Sequence, residues 1–131
     1  METFNPTIDD RDVLILIIED EKVSRKALAR LLARSGYTAE AFGSAEEALC
    51  MLSPGPAPRV ALVDLDLPGM SGAEFLKYLS QIAPLAHSVL ISAASEERLL
   101  QLTSEKNIRY LRKPIDFKDL LRDLDENLRP N

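Results

Sequence analysis

The chain reads as an open, doubly wound α/β fold built on a parallel sheet, and three observations predict it. Strand-like and helix-like patterns alternate five times along 131 residues. The run Val60-Ala-Leu-Val ahead of Asp64 carries no polar residue on either face, as suits a strand covered by helices on both sides. Three runs end in residues that carry chemistry: Glu19-Asp20-Glu21 after the first, Asp64 at the end of the third, and Lys113-Pro114 after the fifth. Ligands of such sheets collect beyond the carboxyl ends of the strands, so these side chains are expected to share one crevice.

Taken in order, residues 1–11 mix Asn5, Pro6, Asp9 and Asp10 without periodicity and are expected to form a flexible lead-in. Val13-Leu-Ile-Leu-Ile-Ile18 is wholly apolar and rich in β-branched residues, the composition of a buried strand. Val23, Ala27, Leu28, Leu31 and Leu32 then recur at helical spacing, with Gly36 placed to end the helix. Glu21 reads as a helix-start charge favoured by the dipole rather than as a ligand. Thr38-Ala-Glu-Ala-Phe42 alternates weakly, as an edge strand does.

Ser44-Ala-Glu-Glu47 is a capping box, continued by Ala48, Leu49 and Leu52 and followed by a loop holding Pro54, Pro56 and Pro58. Cys50 falls on this helix; as a single cysteine it forms no internal disulfide and is expected to be a buried apolar residue. The run into Asp64 is too short for a helix and the Pro68-Gly69 turn follows almost at once. Asp64 should therefore end a buried strand. An acid there is costly unless something uses it. Ser71-Gly-Ala-Glu74 repeats the capping box, with Phe75, Leu76, Leu79 and Ile82 as the inward stripe and Pro84 closing the unit.

Ser88-Val-Leu-Ile-Ser92 is a fourth strand ending in a hydroxyl, and His87 before it reads as a loop residue without a role. Ser95-Glu-Glu opens a helix whose Leu99, Leu100 and Leu102 are expected in the core; one of them left outside would mark a dimer face. Lys106-Asn107 makes a turn into a strand from Ile108 to Arg112, at the other edge of the sheet. Asp116 caps a last helix with the stripe Phe117, Leu120, Leu121, Leu124 and Leu128. The pattern gives one domain over 12–128, with 129–131 as a tail or the start of a linker.

The totals narrow the function. Sixteen basic against twenty-one acidic residues leave a net charge of -5, which argues against a nucleic-acid partner for this domain. No apolar run approaches the ~20 residues of a membrane span, and the N-terminus lacks a signal-peptide pattern, so the cytoplasm is the expected location. No glycine-rich phosphate loop follows the first strand. The acids that stand there would repel a phosphate, which counts against a nucleotide- or flavin-binding enzyme on this architecture.

The order of an acidic pair after the first strand, Asp64 before Pro68-Gly69, a hydroxyl at Ser92 and Lys113-Pro114 after the fifth strand resembles the receiver domain of bacterial two-component response regulators. That resemblance implies a flavodoxin-like (βα)5 sandwich with strand order 2-1-3-4-5. It also implies that Asp64 accepts a phosphoryl group from the histidine of a sensor kinase or phosphotransfer protein. Glu19, Asp20, Asp64 and the backbone carbonyl of Asp66 would hold Mg²⁺, with Mn²⁺ as a substitute. Oxygen ligands suit such a cation, and acids brought together need one. Lys113 and Ser92 would hold phosphoryl oxygens, and Lys113-Pro114 is expected to be a cis bond.

Ser92 and Tyr110 take the positions whose coupled movement reports phosphorylation in similar domains. They would reshape the face of the fourth helix, fifth strand and fifth helix for a downstream protein, an output domain or a second copy. Asp66 is the rival acceptor; the distance to Pro68-Gly69 favours Asp64 on the family pattern. Glu19 stands where aspartate is commoner and Ser92 where threonine is, and neither change removes a required group. The alternative is a pseudo-receiver that acts as a phosphorylation-independent interaction module; Glu19 is its one support.

Overall fold

The computed structural model describes residues 14–52, 57–103 and 108–128. Its elements are β1 (Leu14–Ile18), α1 (Lys22–Arg34), β2 (Thr38–Phe42), α2 (Ala45–Leu52), β3 (Val60–Asp64), α3 (Gly72–Ile82), β4 (His87–Ser92), α4 (Glu96–Thr103), β5 (Arg109–Arg112) and α5 (Phe117–Leu128). The strands pair in parallel in the order β2-β1-β3-β4-β5. The expectations for Val13, the lead-in, Pro54, Pro56, the Lys106-Asn107 turn and the C-terminal tail lie outside the described residues.

Strand alternation explains the two cores. Ile15, Ile17, Leu62, Val89 and Ile91 face Leu28 and Leu32 of α1 and Leu120 and Leu124 of α5. Leu16, Ile18, Ala61, Val63 and Leu90 face Ala45 and Ala48 of α2, Phe75 and Leu79 of α3 and Leu99 of α4. Every residue of β3 is buried, as a central strand covered on both faces must be.

Local chemistry sets the element ends. Glu21 is the N-cap of α1, accepting from the Val23 and Ser24 amides. Gly36 ends that helix at φ 91. Ser71 and Glu74 form the complete capping box of α3. At α2 the Ser44 hydroxyl accepts from the Glu47 amide, but Glu47 Oε1 accepts from Gly43 N rather than from Ser44. Gly72 is required by close approach, since a Cβ there would fall 2.1 Å from the Asp64 carbonyl oxygen. Lys113-Pro114 is cis.

Several side chains lie elsewhere than the periodicity suggests. Ile82 and Phe117, expected in inward stripes, are 55% and 41% exposed. Each is the terminal residue of its helix, Ile82 the last of α3 and Phe117 the first of α5. Val23, one of the residues whose spacing marked α1, is 73% exposed. Cys50 is exposed, because Ala45, Ala48 and Leu49 already fill the inner side of the short α2. Leu99 is buried while Leu100 is 50% exposed, so one leucine of that helix does lie outside. His87 is not a loop residue: it opens β4 and holds a carboxylate described below.

Candidate functional site

The carboxyl edge of the sheet gathers the predicted residues. Beyond the end of β1 the Glu19 amide donates to Phe42 O, which holds the strand line for one further residue and leaves Glu19 3% exposed. Asp20 follows in the exposed loop, and Asp64 closes β3 at 4% exposure. One carboxylate oxygen from each of Glu19, Asp20 and Asp64 lies within 4.8 Å of the other two. Lys113, whose amide donates to Ser92 O, reaches back over the edge. Its Nζ donates to Asp64 Oδ2 at 2.8 Å and to Glu19 Oε1 at 3.1 Å.

The second oxygen of each buried carboxylate takes a backbone amide. Asp64 Oδ1 accepts from Asp66 N, and Glu19 Oε2 from Glu21 N. Burial pushes the Glu19 carboxyl above the ordinary carboxylate range; the Glu21 amide and Lys113 oppose the shift and Asp64 adds to it. Burial pulls the Lys113 ammonium down, but hydrogen bonds and charge from Asp64 and Glu19 outweigh it and leave the group above the ordinary lysine value. The site thus concentrates negative charge that one lysine only partly offsets. A donor set made of carboxylate oxygens suits a hard divalent cation such as Mg²⁺, and the draw on Lys113 shows that the pocket favours positive charge.

Ser92 is fully buried at the end of β4. Its hydroxyl donates to Asp66 Oδ2 at 3.3 Å and accepts from Ala94 N at 2.9 Å, so it is turned toward Asp66 and not toward Asp64. Tyr110 packs partly on the core while its hydroxyl donates to Glu96 Oε1 at 3.2 Å, tying β5 to the first turn of α4. Burial and the Glu96 carboxylate push the Tyr110 phenol above its ordinary value.

The family model described as "Response regulator receiver domain" matches residues 15–125. The chain belongs to this family. The receiver is 32% identical over 121 residues to the "Positive alginate biosynthesis regulatory protein" of Pseudomonas aeruginosa, covering 89% of this chain and 48% of that protein. It is 29% identical over 107 residues to "DNA-binding transcriptional regulator NtrC" of Salmonella typhimurium, covering 81% of this chain and 23% of the relative. The receiver thus spans less than half the length of these two relatives. Among solved structures it superposes on a "response regulator receiver domain protein (CheY-like)" of Methanospirillum hungatei with a TM-score of 0.81 at 24% identity, covering 89% of this chain and 94% of that one. The chemotaxis protein CheY4 of Vibrio cholerae gives 0.79 at 21% identity, with 88% and 98% covered. Both likenesses show the same fold, and membership in the family places the receiver in phosphorelay signalling. Among the described residues no helix is long and apolar enough to cross a membrane.

Three further groups, two beside the site and one remote from it, were not singled out from the sequence. Arg25 of α1 sends Nη1 to the carbonyl oxygens of Glu19 at 2.9 Å and Asp20 at 3.4 Å, holding the loop that carries both acids. Glu46 of α2 reaches across to the loop after Asp64, where Oε2 accepts from Met70 N at 2.9 Å. At the opposite edge of the sheet Asp123, 1% exposed on α5, is held by His87 Nε2 at 2.8 Å and Arg109 Nε at 3.1 Å. Only Asp123 left a signal: it stands three residues after Leu120 and beside Leu124, on the inward side of its helix.

Proposed function

We propose that this receiver takes a phosphoryl group onto Asp64 from the histidine of a sensor kinase or phosphotransfer protein, in a Mg²⁺-dependent step. The observation that carries the reading is the Lys113–Asp64 ion pair inside a cluster of acids at the sheet's carboxyl edge. A carboxylate oxygen of Asp64 attacks phosphorus, the phosphorus–nitrogen bond breaks, and its electron pair leaves with the imidazole. An acyl phosphate forms on Asp64. There is little covalent work for the protein beyond alignment and charge neutralisation.

Glu19, Asp20, Asp64 and the Asp66 carbonyl are the residues we assign to the ion, which supplies neutralisation of phosphoryl oxygens when bound. Lys113 keeps contact with the same oxygens by moving from carboxylate to phosphoryl. Ser92 exchanges Asp66 for a phosphoryl oxygen, and the space it leaves admits the Tyr110 ring once its tie to Glu96 breaks. The face of α4, β5 and α5 then changes shape for a downstream protein or output domain, or for a second copy. The pseudo-receiver alternative is not favoured, because the acceptor and the lysine are both present and paired.

A docking surface for the phosphodonor adjoins the site. Val23, Ala27, Pro114, Ile115 and Phe117 line a groove of about 610 Å³ that opens on Glu19 and Lys113. Val23 and Phe117 are its exposed apolar rim. A protein that presents a phosphohistidine to Asp64 must rest on the rim of this edge, and apolar contacts there supply its affinity.

Intact-mass measurement with phosphoramidate tests the reading. The parent should gain the mass of one phosphoryl group with Mg²⁺ and none with a chelator, and Asp64→Asn should gain none. An unchanged parent in the presence of Mg²⁺ overturns it.

A further inference from the structure

We infer that Glu46 is a positioning residue for the β3–α3 loop, clamping it so that the Asp66 carbonyl is held for the metal. The inference rests on the reading of Asp64 and Asp66 given above. Two features of the loop point to it. The carboxylate of Glu46 accepts from the Met70 amide at 2.9 Å, across a separation of 24 residues. Beside it Gly69 adopts φ 74, and a Cβ there would fall 2.6 Å from Glu46 Oε2. The positive φ calls for glycine here, and the carboxylate lies against the backbone where a side chain would otherwise stand.

The base of the clamp is fixed. Ala45 and Ala48 are fully buried on either side of Glu46 in the sequence of α2, and Ser44 and Glu47 tie down the helix start. The loop itself is fixed at both ends: Leu65 and Leu67 are buried, Leu65 O accepts from Gly72 N, and Asp66 N donates to Asp64 Oδ1. Between Leu67 and the Ser71 cap, the Met70 amide is where another element grips the loop. The Met70 amide in turn holds the Glu46 carboxyl below the ordinary carboxylate range, as a charge-assisted bond does.

The test is calorimetric titration with Mg²⁺ of the parent, Glu46→Ala and Glu46→Gln, alongside hydrogen exchange at the Met70 amide and thermal unfolding without metal. Loss of this solvent-exposed hydrogen bond predicts Mg²⁺ binding weakened by about three- to tenfold in Glu46→Ala, and faster exchange at Met70. The amide oxygen of Glu46→Gln accepts the same bond and should restore most of both, with the unfolding temperatures of both variants lowered by no more than a few degrees. Glu46→Ala binding Mg²⁺ like the parent overturns the inference, and so does Glu46→Gln as weak as Glu46→Ala, which would make the charge the cause. A parent that binds no Mg²⁺ overturns instead the reading on which it rests.

Discussion

Lys113 Nζ lies 2.8 Å from Asp64 Oδ2, so an ammonium delivered from the end of β5 already occupies the position from which it would hold a transferred group. Glu19 Oε1 shares that ammonium. Replacing Lys113 by Gln removes the cation while keeping a donor. Phosphorylation of Lys113→Gln by phosphoramidate should be slowed by roughly 10- to 100-fold, the range expected when one preorganised donor to developing charge is weakened. Time-resolved intact mass measures it.

The Ser92 hydroxyl bonds to Asp66, so on the proposed mechanism its turn toward a phosphoryl oxygen would be a step separable from chemistry. Ser92→Ala should still accept the phosphoryl group. Hydrogen exchange across 92–112 should then change on phosphorylation in the parent and stay nearly constant in Ser92→Ala.

The groove beside the site separates two kinds of donor. Val23→Asp and Phe117→Ser place polarity on its exposed apolar rim. Transfer from a cognate phosphorylated kinase should fall about tenfold or more, given ~1–3 kcal/mol for each apolar side chain removed from contact. Uptake from phosphoramidate should be unchanged.

Asp123 is nearly inaccessible, and His87, Arg109 and Asn127 all bond to it. Asp123→Ala removes a charged acceptor shared by β4, β5 and α5. It should lower unfolding free energy by roughly 1.5–3 kcal/mol in urea titration, while the parent's phosphorylation rate persists under native conditions.

Glu46 gives a pH dependence of stability with a definite sign. Its carboxyl is held below the ordinary range by the Met70 amide, so its contribution is fully present above about pH 4.3 and is lost as pH falls through the lower folded value. Urea unfolding of the parent and Glu46→Gln should show a stability difference that is constant above that pH and shrinks below it.

Much of the fold was written in local patterns. The all-apolar β1, the apolar run of β3 ahead of Asp64 and the weakly alternating β2 declared which strands are central and which is an edge, and Ser71-Gly-Ala-Glu74 declared a helix start. The acids, the hydroxyl and the lysine were legible because each follows a strand, and a parallel sheet brings strand ends together. Ile82 and Phe117 were misplaced because periodicity does not report that a terminal helix residue is left partly uncovered, and Cys50 because a residue's apolar character does not say which side of a short helix it takes. The Glu46–Met70 and His87–Asp123 pairings could not be read for another reason: each joins residues far apart in the chain, so even the inward place of Asp123 on its helix names no partner.

The acyl phosphate itself is the most direct test. Borohydride reduces such an anhydride to the alcohol, so the phosphorylated protein, reduced and digested, should show homoserine at position 64 and at no other acid. Homoserine at 66 or 20, or none after a phosphoryl group has been gained, would contradict the assignment of Asp64.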